Sequence, residues 1–525
     1  MAILRLENYV SSTQTQLSTV PLITFAIILL TFAIRRRSSR SKSSTTKPLP
    51  PGPWKLPIIG NLHQLMTSPL IHHRLRDLAQ KHGPHLMHLQ LGELSHVVVS
   101  SPEAAREVMK THDLSFGSRP NLLVSDLVLY SVMGPTSDHW RQMRKINFTG
   151  LLGPKRVATY RPIRESEVAK LVAELSLRRG AAVDVSRFLS GVFGGVTFRA
   201  AFGIVKDVKA EARFLELVEG VTDAVAGFQI SNLYPSLKFL PTLTGFRAEL
   251  TRLHLAADRM LEEIIGEQKA KRVARRKEFG DDDSQAAAEE NLVDVLFNLQ
   301  ESSDPAHPIT MHDIKGVVFE TFLAGTETAT RPAEWTLSEM IKNPNVMQKA
   351  QEEVRQMCAG KEFVSEEDLH KLKYLDCVIQ EGLRLHSSLP LLLPRESRER
   401  EEIFGYEIPA KTRIIINGWA INRDPRHWTD ADKFYPERFL DCSIDYKGTN
   451  FHFIPFGAGR RMCPGISFGM SVVKLLLANL IYCFDWKLPN DANPEDLDMT
   501  EYFSASVRRK YNLSLIPIPY EGMKH

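Results

Sequence analysis

The chain has few cysteines, and they are not arranged in pairs. Its 525 residues contain five: Cys358, Cys377, Cys442, Cys463 and Cys483. Their number is odd and no C-x-x-C pair occurs, which argues against a disulfide framework or a zinc site and fits a reducing compartment. We interpret four of them as small buried apolar residues and treat Cys463 separately.

The sequence also lacks internal repeats, a composition break that would separate a second catalytic domain, and a dinucleotide-binding fingerprint. The lone Gly457-Ala458-Gly459 has no third glycine and no βαβ context. The net charge of +4 divides unevenly, because residues 1–47 carry +6 and the rest of the chain carries −2. The basic character thus belongs to one short segment, and nothing supports nucleic-acid binding.

An uncharged apolar run near the N-terminus, residues 17–34, is long enough to span a bilayer. Three arginines at 35–37 follow it directly, and the positive-inside rule places such a flank in the cytosol. A cleaved signal peptide is the alternative, but it would carry its positive charge before the apolar run. We therefore predict a short luminal N-terminus at 1–16, a single transmembrane anchor at 17–34 and a basic, proline-rich linker at 35–53.

The remaining residues, 54–525, alternate long helical patterns with shorter β-like runs, which predicts a mainly α fold with small β-sheets (α+β). Residues 269–290 run basic and then acidic without apolar periodicity, which indicates a solvated loop between helices. The expected elements are a hairpin over 85–100, helices over 102–112, 291–299, 314–340 and 466–480, and a strand over 413–417.

Cys463 lies in a glycine-rich loop directly before the apolar helical stretch that starts at Ile466. A thiolate on a tight loop at a helix N-terminus is a good ligand for a soft metal, because the helix dipole and nearby N–H groups favour the anionic sulfur. The glycines let the backbone approach a flat ligand closely. These features indicate haem iron with an axial Cys463 thiolate, a ligand that favours cleavage of the O–O bond. A buried structural cysteine is the alternative.

The pattern Phe-x-x-Gly-x-Arg-x-Cys-x-Gly over 456–465 resembles the haem-binding loop of the cytochrome P-450 monooxygenases, and every position matches. The resemblance covers essentially the whole chain, from the proline-rich segment at 48–53 to residues 507–510. It implies the cytochrome P-450 fold for a haem-thiolate monooxygenase domain at 54–525. It also implies a haem b cofactor whose iron is bound by Cys463, with reducing equivalents supplied by another protein.

Glu327 and Thr328 place an acid beside a hydroxyl within a long helical stretch, in Ala-Gly-Thr-Glu-Thr. The pair resembles the proton-delivery site above the haem in this family, which implies a catalytic role for both residues. A polar helix face, or a hydroxyl that bonds back to the preceding turn, is the alternative. Where plant members have small hydroxyl residues, this chain continues with Arg331 and Pro332. A proline inside a helix removes one hydrogen bond and kinks the helix.

Glu381 and Arg384 lie three residues apart, on one helical face. They match the Glu-x-x-Arg motif of the family, and Arg438 in Phe-Tyr-Pro-Glu-Arg-Phe completes a resemblance to its buried Glu-Arg-Arg network. The resemblance implies that these three residues hold the cysteine loop and do not touch substrate. Ser387 and Ser388 stand where plant members commonly have two prolines, and we expect small effects there.

Trp140 and Arg144 are four residues apart in Trp-Arg-Gln-Met-Arg and resemble the helix that holds a haem propionate. Arg395 and Arg461 match further propionate contacts of the family, and arginine suits a carboxylate because it can bind both oxygens. Phe456, the first residue of the loop pattern, is assigned to the cofactor-binding set on the same resemblance. A surface salt bridge is the alternative for each arginine.

The runs Trp-Arg-Gln-Met-Arg-Lys, Ala-Gly-Thr-Glu-Thr and Phe-Gly-Ala-Gly-Arg-Arg are similar to those of plant A-type microsomal members of specialised metabolism. This implies a monooxygenase that inserts one atom of O2 into a small apolar metabolite, with electrons from NADPH via NADPH–cytochrome P-450 reductase. It also implies the endoplasmic reticulum membrane, with the catalytic domain in the cytosol. The segments that align with the substrate-contacting regions of the family are apolar, which favours a terpenoid. These segments are 122–132, 225–233, 317–323, 389–393 and 502–506.

Three alternatives stay open at this point. The substrate could be an alkaloid or a phenolic, which would use the same chemistry on another skeleton. The haem could serve a redox-neutral isomerase or dehydratase that rearranges a peroxide, although such members lose the acid–threonine pair that is intact here. A membrane-anchored, non-enzymatic haem carrier is the third, and it would need neither Glu327 nor Thr328.

Overall fold

The computed structural model describes residues 47–522, except 128–133, 206, 208, 226–228, 280–289, 304–307 and 505. The predicted luminal segment, the predicted anchor and the first part of the predicted linker, up to residue 46, lie outside the described residues. Among the described helices, one has the length and apolar composition of a membrane span, Ile466–Cys483, and most of it is buried in the protein.

Helices form the bulk of the regular structure. The described α-helices of eight or more residues are α1 Ile71–His82, α2 Asp138–Lys145, α3 Arg161–Leu177, α4 Val185–Phe202, α5 Ala210–Val225, α6 Phe246–Phe279, α7 Leu292–Glu301, α8 Met311–Gly325, α9 Glu327–Lys342, α10 Pro344–Met357, α11 Lys373–Leu385 and α12 Ile466–Cys483. Shorter α-helical turns are Leu62–Leu65, Pro102–Arg106, Asp113–Phe116, Leu123–Leu127, Pro154–Thr159, Ile230–Leu233, Leu240–Leu243 and Gly418–Ile421. Two π-helical turns, Glu107–Thr111 and Ile146–Leu151, and the 3₁₀ turns Leu369–Lys371, Pro436–Phe439, Gly459–Arg461, Pro489–Asp491 and Pro494–Asp496 complete the set.

Eleven short strands of the described chain form four small sheets. They are β1 Leu86–Leu91, β2 Leu94–Val99, β3 Val183–Asp184, β4 Arg395–Glu396, β5 Glu401–Ile403, β6 Tyr406–Ile408, β7 Arg413–Ile416, β8 Phe484–Lys487, β9 Glu501–Phe503, β10 Val507–Arg509 and β11 Ser514–Pro519. The largest sheet has the order β1-β2-β7-β4, and a three-stranded sheet has the order β3-β11-β8. In the largest sheet β2 pairs with β1 antiparallel and with β7 parallel, whereas β5–β6 and β9–β10 are antiparallel pairs.

The helices around the site form for reasons that are visible in their sequences. Asn291 before α7 and Thr310 before α8 each make a capping box with the aspartate three residues later. Helix α12 has apolar residues on nearly all sides, because it is surrounded by α3, α9 and α10. A buried helix of this kind provides a rigid support immediately after the loop that carries Cys463.

The predicted fold class, mainly α with small β-sheets, is confirmed. The expected hairpin is β1–β2, and its register pairs Leu86 with Val99. The expected strand is β7, and the helices expected over 291–299 and 466–480 are α7 and α12. The helix expected over 102–112 is helical throughout most of its length, but its second half is a π-helical turn.

The prediction of a solvated loop over 269–290 is wrong for its first part. Helix α6 continues to Phe279, and Arg272 within it is 7% exposed. The guanidinium of Arg272 donates to the Asp294 carbonyl oxygen at 3.0 Å and to Asn298 Oδ1 at 2.6 Å. The helix persists through the basic run because a long arginine stem can pack against a neighbouring helix, a contact that apolar periodicity does not register.

The single helix expected over 314–340 is two helices. Helix α8 ends at Gly325 and α9 starts at Glu327, and Thr326 between them has φ −86° and ψ −68°. Pro332 lies inside α9, which runs through it. The break in the helical path is therefore next to the predicted acid–hydroxyl pair and six residues before the proline.

Candidate active site

The loop that carries Cys463 is held in a tight turn by two glycines with positive φ, Gly457 and Gly459, both at 69°. A Cβ on Gly459 would lie 2.1 Å from the Met109 carbonyl oxygen, so a larger residue cannot stand there unless the backbone moves. The Cys463 N–H donates to the Phe456 carbonyl at 3.1 Å and closes the loop. The sulfur is thus presented from a constrained loop directly before α12.

Two opposing influences act on the sulfur. Burial raises the pKa of the Cys463 thiol, whereas a hydrogen bond from the Gly465 backbone and the positive charge of Arg144 lower it. The Arg144 guanidinium also donates to the Met462 carbonyl, which holds the cation beside the loop. A coordinating metal ion deprotonates a thiol outright, so the loop is suited to a thiolate ligand once a cation is bound.

The arginines predicted for the propionates converge on one wall of the site. Arg395 is 3% exposed and donates to Asp113 Oδ1 at 3.1 Å, so the alternative of a surface salt bridge does not hold for it. The Arg461 guanidinium lies over the Trp140 ring, 3.8 Å from its centre, and donates to two backbone carbonyls at 2.7 and 2.9 Å. The structure therefore brings together the side chains that the sequence pattern had selected from three distant segments.

A fourth guanidinium, which the sequence analysis missed, belongs to the same wall. Arg119 donates to two consecutive backbone carbonyls at 2.6 and 2.7 Å. Burial lowers the pKa of Arg119 well below its ordinary range, and the positive charges of Arg395, Arg461 and Arg144 lower it further. The residue stands alone in Ser-Arg-Pro, and no motif in the sequence marks it.

A cavity of about 290 Å³ lies between the cysteine loop and the break between α8 and α9. Cys463 lines it together with Gly325, Glu327 and Thr328, and the four arginines of the wall contribute as well. Most of the remaining lining is apolar, and its larger members are Leu152, Leu323, Leu389, Leu392, Leu393, Phe456, Phe468, Met470 and Val473. Enclosed apolar cavities with a few convergent polar groups are typical of small-molecule sites.

The predicted acid–hydroxyl pair lies on this cavity, and its two members are held differently. One oxygen of Glu327, Oε1, accepts from Arg331 Nη2 at 2.7 Å and from Ser506 Oγ at 2.9 Å. The other oxygen, Oε2, is buried and has no hydrogen-bond partner among the described residues. The Thr328 hydroxyl donates to the Ala324 carbonyl, which is the bond to the preceding turn that the sequence analysis left as its alternative. This bond uses the hydroxyl proton and leaves the oxygen able to accept.

The Glu381 network lies outside the cavity, and its central pair, Glu381 and Arg384, is fully buried. Arg384 donates to both carboxylate oxygens of Glu381, at 2.7 and 2.8 Å, and Arg438 donates to one of them at 3.0 Å. The Tyr435 N–H donates to the same carboxylate at 2.9 Å. The arginines also donate to the carbonyls of residues 422, 429 and 431. The network thus ties α11 to the segment that precedes the cysteine loop.

Three of the five segments predicted to contact substrate reach the cavity. They contribute Leu323 from 317–323, three leucines from 389–393, and Ser506 from 502–506. Residues 128–132 and 226–228 of the other two segments lie outside the described residues. The lining also contains Glu320, Thr321 and Thr222, so the wall is less uniformly aliphatic than the sequence analysis expected.

The residues of the site fit a haem. Four guanidinium groups share one wall with Asp113, and a ligand with two carboxylates would offset the repulsion among them. A Cβ added to Gly325 would come no closer than 3.8 Å to a protein atom. The protein itself therefore leaves the space on that face of the cavity open. A soft sulfur donor, an anion-binding wall and an open apolar face occur together in one cavity.

Comparison with known proteins agrees with this chemistry. The family model described as Cytochrome P450 matches residues 50–516. Desmethyl-deoxy-podophyllotoxin synthase of Sinopodophyllum hexandrum is 47% identical to the chain, over 95% of this chain and 96% of that protein. Premnaspirodiene oxygenase of Hyoscyamus muticus is 45% identical, over 94% and 97%, and Cytochrome P450 71D8 of Glycine max is 47% identical, over 95% and 97%.

Both the family match and the relatives extend over nearly the whole chain, which confirms the resemblance drawn from the loop at 456–465. They also account for the geometry of the cavity, since this family binds haem b through a cysteine thiolate and uses dioxygen with electrons from a reductase. The chain therefore belongs to the cytochrome P450 family, as a plant A-type member, and it is a monooxygenase.

Proposed function

We propose that this monooxygenase inserts one oxygen atom into a terpenoid of plant specialised metabolism. The observation that carries the proposal is an apolar cavity bordered by Cys463 on one side and by Glu327 and Thr328 on the other. A site of this shape holds an apolar molecule by burial and leaves its orientation to shape and to a few polar groups.

Cys463 is proposed as the axial ligand of the iron, and Arg119, Arg144, Arg395 and Arg461 as the groups that hold the two propionates. Arginine suits this task, because its planar fork matches a carboxylate and stays charged in partly buried surroundings. Trp140 would support Arg461 through its ring face, and Phe456 would pack on the same cofactor from the loop. When bound, haem b supplies the redox chemistry that activates dioxygen.

Glu327 and Thr328 are proposed to deliver protons to the reacting oxygen. Thr328 lines the cavity and its own proton is engaged by the Ala324 carbonyl, so its oxygen would act as an acceptor for a water molecule there. Glu327 is fixed through Oε1, and its free Oε2 is the atom that can accept and release a proton. A carboxyl that is fixed through one oxygen and has no hydrogen-bond partner on the other is suited to repeated proton transfer.

A terpenoid is favoured by two observations. Leucines dominate the part of the wall formed by residues 389–393, where no charged side chain projects from that segment. In addition, premnaspirodiene oxygenase, which is 45% identical to the chain, is named for a diene as its substrate. Desmethyl-deoxy-podophyllotoxin synthase, which is 47% identical to the chain, is named for a podophyllotoxin-type product, and a phenolic substrate is the second candidate.

The proposal extends to the cellular setting. We infer a single-pass anchor at 17–34 in the endoplasmic reticulum membrane, with the catalytic domain in the cytosol and NADPH–cytochrome P-450 reductase as the electron donor. The uncharged run and the arginines directly after it support this orientation.

The test is an incubation of microsomes that contain the full chain and a plant reductase with NADPH, O2 and separate panels of terpenes, alkaloids and phenolics. We expect a product heavier by one oxygen atom from the terpene panel, and only when the reductase is present. An oxygenated product from the phenolic panel alone would contradict the terpenoid assignment. A rearranged product of unchanged mass, formed without NADPH, would contradict oxygen insertion.

A further inference from the structure

Pro332 leaves one backbone acceptor of α9 without its helical donor. In a regular α-helix the N–H of residue 332 would donate to the carbonyl of residue 328, but proline has no N–H. The pyrrolidine ring also crowds that carbonyl and tilts it away from the helix axis. The carbonyl belongs to Thr328, so whatever group replaces the lost hydrogen bond acts directly on the proposed proton-delivery residue.

The Ser388 hydroxyl supplies the missing donor. Its Oγ lies 2.6 Å from the Thr328 carbonyl oxygen, across 60 positions of sequence. Ser388 lies three residues after the end of α11 and directly before Leu389, one of the leucines that line the cavity. Both partners of the bond line the same cavity, so the bond is part of its wall.

Ser388 is itself fixed from a second side. Its carbonyl accepts from the Val507 N–H at 2.9 Å, and the Val507 carbonyl accepts from Trp335 Nε1 at 3.1 Å. Ser506, the neighbour of Val507, donates to Glu327 at 2.9 Å. Helix α9, the loop after α11 and strand β10 are therefore joined by hydrogen bonds around the acid–hydroxyl pair.

We propose that Ser388 is a positioning residue that replaces the helical hydrogen bond removed by Pro332 and thereby holds Thr328 at the cavity. The expected effect of Ser388 on catalysis rests on the proposed function of Thr328. The hydrogen bond between Ser388 and the Thr328 carbonyl is independent of that proposal. The proposal gives one explanation for two departures of this chain from other plant members, the proline in the helix and the serine in the loop. Pro332 without Ser388 would leave a carbonyl at the cavity wall without a donor from the protein.

A double-mutant cycle tests the proposal, with Ser388→Ala, Pro332→Ala and the two changes combined. Alanine at 332 returns an N–H to α9, so the Thr328 carbonyl then has a helical donor and no longer depends on Ser388. For Ser388→Ala alone we expect a fall of about 2 °C in the unfolding midpoint of the haem-loaded protein. We also expect product per NADPH to fall at least about threefold. Both losses should be less than half as large in the Pro332→Ala background.

Ser387→Ala is the matched control. This neighbouring hydroxyl donates to the Leu383 carbonyl at 2.9 Å and accepts from Asn422 Nδ2 at 2.9 Å, so its described bonds do not involve α9. The effect of Ser387→Ala should therefore be the same with proline or alanine at 332. Ser388→Thr keeps a hydroxyl on the same side-chain position. Unlike Ser388→Ala, it should therefore have the wild-type unfolding midpoint and the wild-type yield of product per NADPH.

Equal losses from Ser388→Ala in the two backgrounds would overturn the proposal, whatever Thr328 does. A non-additive unfolding cycle with unchanged product per NADPH would overturn the positioning role. Failure of the proposed function itself has a different signature, which is full coupling of NADPH to product in Thr328→Ala. Loss of coupling in Thr328→Ala together with an additive Ser388 cycle would leave the proposed function intact and reject this inference alone.

Discussion

Replacing Glu381 with glutamine measures the cost of leaving the arginines of the buried ion network without their counter-charge. Glu381 and Arg384 are both fully buried, and the guanidinium donates to the two carboxylate oxygens at 2.7 and 2.8 Å. Arg438 and the Tyr435 N–H donate to the same carboxylate at 3.0 and 2.9 Å. Glutamine turns one acceptor oxygen into a donor that faces these donors, and it removes the negative charge between two cations.

The expected loss follows from that burial. Breaking a buried ion pair while one charge stays in place costs about 3–5 kcal/mol. Because a folded domain is stable by only about 5–15 kcal/mol, Glu381→Gln should remove a large share of the free energy of unfolding. We expect a lower urea midpoint for the haem-loaded protein, with an unchanged dependence of the free energy on urea, followed by tryptophan emission and haem absorption.

Glu249→Gln provides the matched control. Glu249 and Arg252 have the same spacing of three residues and the same two-point contact, at 2.6 and 3.0 Å, but their side chains are 50% and 66% exposed. Solvent screens an exposed pair, so this variant should unfold at the wild-type midpoint. Equal losses in the two variants would refute the reasoning, because burial is the property that distinguishes the pairs.

Three further predictions concern the cavity and the pH dependence of stability. Thr328→Ala should lower product per NADPH by at least about tenfold and raise peroxide release, whereas Thr328→Ser should stay close to wild type; full coupling in Thr328→Ala would reject the proton-delivery role. Arg119→Met should speed transfer of haem to an acceptor protein by about tenfold or more, because a charge-assisted hydrogen bond contributes about 1.5–3 kcal/mol; an unchanged transfer rate would remove Arg119 from the propionate wall. Burial lowers the pKa of His96 to about 3, so below pH 6.5 the unfolded chain takes up the proton first. The contribution of neutral His96 to the free energy of unfolding is fully present above pH 6.5 and should fall by up to about 1.4 kcal/mol per pH unit toward pH 3. The free energy of unfolding should therefore depend less on pH in His96→Gln. Parallel profiles would contradict a neutral, buried His96.

Much of the fold could be predicted from local patterns. The β-like runs over 85–100 predict a hairpin, and both faces of β1 and β2 pack on apolar clusters. The continuous apolar run after Cys463 predicts a buried helix. The extension of α6 to Phe279 could not be predicted this way. Its basic run is held by Arg272 through polar atoms of α7, which are distant in sequence.

The site was predictable where a motif fixes several positions and not where geometry alone selects a residue. Cys463 and the buried Glu381 network belong to spaced patterns, and the structure brings their members together as expected. Arg119 belongs to no pattern, and Ser388 is marked in the sequence only as a departure from a pair of prolines. Each acts through backbone carbonyls that only the tertiary structure supplies. The expectation of small effects at Ser388 is therefore replaced by the proposal above.

The most direct test of the account is the absorption spectrum of the reduced, carbon monoxide-bound protein, recorded for wild type, Cys463→His and Cys442→Ser. Cys442 serves as the control because it is also a partly exposed free cysteine, but it lies outside the cavity. We predict a thiolate-type haem band in the wild type and in Cys442→Ser, and an imidazole-type band in Cys463→His. A thiolate-type band that persists in Cys463→His, or that disappears in Cys442→Ser, would contradict the assignment of Cys463 as the iron ligand.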